Sequence, residues 1–573
     1  MADPFTILTV LGMLAPLGLA QRNCTRMFHS AVINNDTLYI DGGDMHTVLP
    51  NDTLVSNSIR DLQSLDLSRS WKNLDDGLFT YIPRPWNTSH PGSYPPYMDE
   101  GGSWSDGNYL FFYGGYPSPW GGPPPPPLGT WMYNIAGNNW TRNRFWGVPM
   151  VRLHEGGAVQ SSVDKTAYYL SSALNPRGNP TFAGTPGADT YLAPALIMLN
   201  MNTLEWRNAS TASMNAWGTI GDGYFSIIES VVEKGVLVAF GGYTYPVGQK
   251  LSVLAARQAN TTHQNSMEYV RVYDIANDQW YTQQTSGDIP RWRMSGCTVV
   301  AAAPDLSSHS IYMFGGIGPT MGVSDGNVYV LSVPSFRWIR VFDDNTVRSK
   351  HKCQLARKHT MIVIGGIVPV DNDEYVPRLQ NCDGAMFANG VGIFDLRTLS
   401  WMTNYNASDD GDYYIHSKIS KVIGGNGTGG ATLTEPSSKF HHTDLATLFS
   451  RRNARPTSSA GMFSSTSSTA AATTTATNSP KSTISGGAIA GATIGAVAGA
   501  GLLLALVFLY LRRLKAKARL SRHRGRPYRH PKVFQEHPSE LAGAHTPMAF
   551  ELADGRDTPN AGLPTEAIRC RSF

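Results

Sequence analysis

Charge is the first thing this chain is short of. Of its 573 residues only 16% are Asp, Glu, Lys or Arg, and the formal net charge is +4, whereas an average globular protein is about 25% charged. A disordered chain would be charge-rich and poor in aromatics, yet 25 tyrosines, 21 phenylalanines and 13 tryptophans are present. A coiled coil or helical bundle would need abundant Ala, Glu, Lys and Leu. The near-neutral average gives no reason to expect a nucleic-acid partner. Catalytic signatures are missing too: there is no HExxH, P-loop, CxxC pair or Ser/His/Asp set, so no catalytic residue, metal ligand or cofactor is expected. His154-Glu155-Gly156-Gly157 looks like an acid–base or metal grouping, but it opens a repeat where histidines recur and reads as structural. His441-His442 are two adjacent side chains, which do not close a metal site.

What is abundant is glycine (57) and proline (36), which with the aromatics suit an all-β protein with many turns. Two apolar segments frame the chain. The apolar stretch Phe5 to Leu19, with Gly18 and Ala20 as small residues before a cut at Gln21, reads as a signal peptide over residues 1–20, although its n-region has no Lys or Arg. Ala488 to Leu511 carries no charge and is long enough to cross ~30 Å of hydrocarbon. Arg512, Arg513, Lys515, Lys517 and Arg519 follow at once, placing the C-terminus in the cytosol. The tail, 512–573, holds 13 basic and 6 acidic residues and is expected to lie on the anionic inner leaflet. Signal plus span means single-pass type I topology. Gly487, Gly491, Gly495 and Gly499 line one face of the span and could support a homodimer.

The sequons agree with an exterior ahead of the span: Asn23, Asn35, Asn51, Asn87, Asn139, Asn208, Asn260, Asn406 and Asn426 all precede it. Cysteine is scarce, five in all. Cys24, Cys297, Cys353 and Cys382 fall outside, an even number in an oxidising compartment, and Cys570 inside. Four cysteines allow three pairings; Cys353 with Cys382, within one repeat, is favoured, leaving Cys297 as a buried thiol. From Thr457 to Thr483, 16 of 27 residues are Ser or Thr, an O-glycosylated stalk in a segment 446–486 that cannot bury a core. The propeller-sized remainder is 21–445.

That remainder is repetitive. An apolar strand ending in Gly-Gly occurs at Leu38–Gly43, Leu110–Gly115, Leu237–Gly242, Ile311–Gly316 and Met361–Gly366. Each is followed by a tryptophan: Trp71, Trp140, Trp280, Trp338 and Trp401. A degenerate copy has Ser171-Ser172 in place of the glycines and ends at Trp206. One four-stranded sheet cannot bury both faces, so stacking six of them radially is the natural solution. A charged run recurs ahead of the first strand, as in Arg26-Met27-Phe28-His29 and Arg357-Lys358-His359. A further strand, Ile419 to Gly425, keeps Gly-Gly without a later tryptophan and leaves a seventh blade open.

Gly-Gly after a hydrophobic strand, an Asp such as Asp274 or Asp395 after the third, and a later Trp resemble the kelch repeat. The resemblance implies a kelch β-propeller, of the type also seen in galactose oxidases, and the full layout resembles membrane-anchored kelch proteins of filamentous fungi. The copper set of galactose oxidases, two Tyr and two His with one Tyr crosslinked to Cys, aligns with no residues here. The expected function is therefore non-catalytic binding of an extracellular glycan or protein. An extracellular carbohydrate-active enzyme or a passive wall-associated glycoprotein are the alternatives. Tryptophans outside the repeat cores, Trp120, Trp146, Trp217 and Trp292, are the candidate ligand contacts, with packing of their own loops as the competing reading.

Overall fold

The computed structural model describes residues 22–450 except 86–93, 121–129, 144–150, 180–190, 212, 215–218, 245–262, 319–325, 344–346 and 369–381. These belong to the first of two compact units, Met1–Ser464. The signal, the span with its glycines, and the tail with Arg512, Arg513, Lys515, Lys517 and Arg519 lie outside the described residues, as do Asn87, Asn260, Trp146 and Trp217. Among the described residues no helix is long and apolar enough to cross a membrane.

Each repeat folds as a four-stranded antiparallel meander. The first runs Ser30–Asn34, Thr37–Asp41, Leu62–Asp66 and Phe79–Ile82. Four more have inner strands Asp99–Ser105, Gly157–Gln160, Tyr224–Ile228 and Cys297–Ala302, and with the first they make five discrete blades. A sixth set of four, from Ser349–Ala356 to Ser400–Met402, is not discrete. Its second strand, Thr360–Ile367, also pairs with the N-terminal strand Arg22–Met27, and Asp44–Val48 and Leu54–Ser58 extend the sheet to seven strands. The inner strands lie side by side in chain order, and that of the sixth set packs beside that of the first. The chain thereby closes a ring.

Six apolar clusters fill the spaces between successive sets, and each contains one repeat tryptophan. Trp338 packs among Val236, Val270 and Leu331, and Trp401 against Phe314, Phe387 and Phe394. Trp280 and Trp206 do the same for the third and second spaces, and Trp140 for the first. Trp71 stacks on Tyr405 at 5.1 Å between the first and last sets, from a two-residue strand of its own rather than the fourth strand. The Asp after the third strand caps the next turn: Asp274 Oδ1 accepts from Ala276 N at 2.9 Å and Asp395 Oδ1 from Arg397 N at 2.7 Å.

The glycine pairs are the joints between sets. All five have both residues at positive φ, and the first of each meets the backbone carbonyl leading into the next inner strand. A Cβ on Gly241 would sit 2.8 Å from Arg293 O, and one on Gly365 2.6 Å from Arg26 O, the joint that closes the ring. The amides of Gly242 and Gly316 donate to Arg293 O and Arg348 O at 3.0 and 2.8 Å. Buried arginines tie the same joints: Arg26 donates to Gly42 O at 2.7 Å and Arg348 to Gly365 O at 2.8 Å. The recurring basic residue is thus Arg348, not Arg357. Arg357 and Lys358, at φ +50° and +63°, form the tight turn between the first two strands of the last set.

Three expectations are corrected. The segment 419–425 is not a strand: Ser417–Ile423 is a helix, α1, with Ile419 and Ile423 one turn apart and buried, ended by Gly424 at φ +84°. Its apolar spacing of four is helical, and there is no seventh blade in it. Thr443–Ser450 is a second helix, α2, whose Leu445 and Leu448 bury against the fourth and fifth sets, so packed structure crosses the 446 boundary. Finally, Cys353 does not pair with Cys382. Cys24 bonds Cys382 and Cys297 bonds Cys353. Ring closure brings Cys24 on the N-terminal strand to the last set, and Asp383 N donates to Cys24 O at 2.9 Å. Cys297 and Cys353 meet because the inner strands of the fifth and sixth sets are neighbours.

Gly77 provides the control for the joint glycines, since it has φ +66° but nothing within 4 Å of a Cβ. Gly77→Ala should cost about 1 kcal/mol for its left-handed backbone, whereas Gly365→Ala adds a steric clash and should cost about 3 kcal/mol or more. Denaturant unfolding of the two variants reads the difference; equal losses would contradict the joint.

Candidate functional site

The residue that enters each inner strand faces the propeller axis, and at all six entries it is a non-glycine residue in the left-handed region. These are Phe28, Glu100, Glu155, Asp222, Ser295 and Lys350, with φ between +51° and +65°. Their backbones bond around the ring: Glu100 N to Phe28 O at 2.6 Å, Asp222 N to Glu155 O at 2.9 Å, Ser295 N to Asp222 O at 3.0 Å and Lys350 N to Ser295 O at 2.8 Å. Backbone of this kind costs roughly 1–3 kcal/mol per residue and persists where surroundings enforce it, often at functional sites. At five of the six entries a glycine joint holds the carbonyl two residues earlier; Asp222 follows the third set, which has no glycine pair.

The side chains form a charged collar. Lys350 Nζ lies 3.1 Å from Glu100 Oε1 and 3.0 Å from Asp222 Oδ2, and 5.8 Å from the centre of the Phe28 ring. Ser295 Oγ donates to Asp222, and His154 Nδ1 meets Glu100 Oε2 at 3.0 Å. Burial opposes ionisation of Glu100, but Lys350 and His154 outweigh it and hold the carboxyl down at about 2. Burial and the Glu100 charge raise Glu155. Burial disfavours a charged His154, yet Glu155 and Glu100 prevail and raise it. The narrow cavity behind this collar, about 100 Å³, is lined by the collar and the starts of the inner strands. The channel's other mouth is wider, about 760 Å³, with Trp104, Val159, Ile227, Val300 and Leu355 in its wall.

Two further buried carboxyls, Asp44 and Asp99, lie beside the collar. Burial, followed by the charges of Asp44 and Glu100, pushes the Asp99 carboxyl well above its ordinary value. Asp44 is also raised by burial, partly offset by Ser118, whose Oγ donates to Asp44 Oδ1 at 2.6 Å. Ser118 Oγ in turn accepts from Trp120 N at 3.0 Å. A set of bonds therefore leads from Asp44 through Ser118 to the backbone amide of Trp120, whose side chain is exposed.

Comparison with known proteins fits this architecture. A kelch repeat-containing protein of Arthroderma benhamiae is 26% identical over 463 residues, 72% of this chain. The chain is a kelch-repeat β-propeller. It spans 65% of the length of that relative. No protein-family model matches the chain.

In this kelch propeller the candidate tryptophans part ways. Trp120 is 54% exposed and available to a ligand. Trp292 is not: it is buried, its Nε1 donates to Gly242 O at 2.7 Å, and it packs on Tyr243 at 4.9 Å. Its role is to wedge the glycine joint. Seven sequon asparagines, Asn23, Asn35, Asn51, Asn139, Asn208, Asn406 and Asn426, are exposed. His441 and His442 rest against Tyr269 and Tyr281 on the outside. His154 and Glu155, read from sequence as structural, instead form part of the collar, and with Glu100 they place three potential ligand atoms within 4.8 Å of one another. The signal for the collar was positional: the residue two to three places after a recurring basic or apolar residue at each inner-strand entry, which varies from Phe to Lys and so hides from a motif search.

Two outcomes follow from this geometry. Trp292→Ala should lose about 3–5 kcal/mol of stability and Trp120→Ala almost none; similar losses would contradict their placement. Asp99 has a folded pKa above its unfolded value of 3.8, so its destabilising effect grows as pH rises above 3.8. Asp99→Asn should therefore raise the melting temperature at pH 7, with the gain vanishing below pH 3.8, as melting curves across pH would show.

Proposed function

We propose that this chain is a single-pass type I cell-surface glycoprotein whose kelch propeller binds an extracellular ligand, a wall glycan or a protein, without turning it over. The observation that carries the binding reading is the collar: six axial residues held left-handed, presenting carboxylates, a lysine, a hydroxyl and an aromatic ring, while the exposed Trp120 has its backbone amide bonded to Ser118, which donates to Asp44. Such a surface offers hydrogen bonds in both senses and a ring face for stacking. The surface location rests on the signal, span and basic tail read from sequence, and the exposed sequon asparagines are in keeping with it. Six blades is the reading of the ring favoured here, because six inner strands surround the axis. Contact of the tail with anionic lipid and pairing through the span glycines belong to the same proposal.

The test is binding of purified full-length protein in detergent to arrays of wall glycans and to candidate surface proteins. A selective ligand should bind at least tenfold more weakly to Trp120→Ala and to Glu155→Gln, with melting temperatures unchanged. A selective ligand that binds both variants at full strength would move the site elsewhere, and one that is chemically converted would replace binding by catalysis.

A further inference from the structure

The axial channel holds a second cluster that the collar does not use. Cys297 and Cys353, on the neighbouring inner strands of the fifth and sixth sets, are bonded to each other and both line the channel cavity. His351 stands two residues before Cys353, and one ring nitrogen of His351 and the two sulfurs lie within 4.8 Å of one another. His351 is 1% exposed. Its Nε2 lies 3.3 Å from Phe314 O, which fixes that nitrogen as the N–H, while Nδ1 has no hydrogen-bond partner. A buried imidazole that donates from one nitrogen to a backbone carbonyl, with the lone pair of the other unused, is the arrangement of a metal-ligating histidine.

The neighbouring joint shows what is particular here. His29 takes the same place beside Gly365 that His351 takes beside Gly315. By position in the repeat, however, His29 has Lys352 and Ala31 where His351 has Cys297 and Cys353. One histidine is surrounded by an ammonium and a methyl, the other by two sulfurs.

We propose that the Cys297–Cys353 bridge is the oxidised form of a thiol metal site, and that once it is reduced the two sulfurs and His351 bind one zinc(II)-type ion, with its fourth position open to the channel. Reduction takes two electrons from a small external dithiol: its thiolate attacks one bridge sulfur, the S–S bond breaks, and the dithiol closes to its own disulfide. Each cysteine sulfur is left as a thiol after taking up a proton. Binding of the ion then displaces both thiol protons and forms two metal–sulfur bonds and one metal–nitrogen bond. Two thiolates and an imidazole match the donor preference of zinc.

The experiment uses full-length Cys570→Ser protein in detergent, before and after anaerobic treatment with dithiothreitol and its removal. Cobalt(II) is titrated as a spectroscopic probe, then displaced with zinc. Reduced protein should take up one cobalt with thiolate-to-metal charge-transfer bands, and unreduced protein none. His351→Gln should weaken binding at least tenfold, and Cys297→Ser should abolish tight binding. A Cys24→Ser/Cys382→Ser variant should bind normally after reduction, which separates this bridge from the other one. Melting curves identify any variant that fails to fold, and Cys297→Ser then stands in for His351→Gln. Reduced protein without thiolate bands, or folded His351→Gln with unchanged affinity, overturns the proposal.

Discussion

The fit of a side-chain-free residue against the next sheet's backbone carbonyl is the contact on which the whole ring depends. Gly42, Gly114, Gly241, Gly315 and Gly365 each leave their strand at positive φ and press against the carbonyl that leads into the following inner strand. Any Cβ there would force the sheets apart. Because the contact repeats and ends with Gly365 on Arg26, error at one joint cannot be absorbed locally; it would open the ring. The third set has Ser171 in place of glycine, and its Oγ donates at 2.5 Å to His154 O, the carbonyl that leads into the third set's own inner strand.

The joints also explain the collar. Once the chain is pinned at the carbonyl, the next residues must turn sharply into the inner strand, and the left-handed conformation of Phe28, Glu100, Glu155, Ser295 and Lys350 is that turn; Asp222 takes the same conformation without a glycine joint before it. Their side chains converge on the axis as a consequence. Charges gathered this closely, away from solvent, are stable only as a balanced set: Lys350 serves both Glu100 and Asp222, and His154 completes Glu100. Asp44 and Asp99, with less compensation, hold their protons more tightly. An assembly with this much buried charge is a poor stabiliser for its size, which is why a binding role explains it better than packing does.

The repeat, the blades' strand pattern and the tryptophan-filled spaces were legible in sequence because each is local: a glycine pair, an alternating strand, an indole. What was not legible depends on which sets become neighbours. The pairing of Cys24 with Cys382 requires knowing that the first strand joins the last sheet, and that of Cys297 with Cys353 that two inner strands touch. The helix Ser417–Ile423 was mistaken for a strand because its Gly-Gly copies the repeat, although Ile419 and Ile423 are spaced for a helix. Trp292 looked like a loop ligand contact because nothing in its own neighbourhood reveals Gly242 O, fifty residues away, waiting for its indole N–H.

Hydrogen exchange across the ring is the most direct measure of whether closure is one cooperative event. On the full-length protein, peptides covering residues 22–30 and 360–367 should be protected to the same free energy as those covering 236–242 and 309–316, and all should exchange together only on global opening. If the 22–30 and 360–367 peptides exchange well ahead of the others, the first strand does not seal the ring, and both the joint and the collar built on it would have to be abandoned.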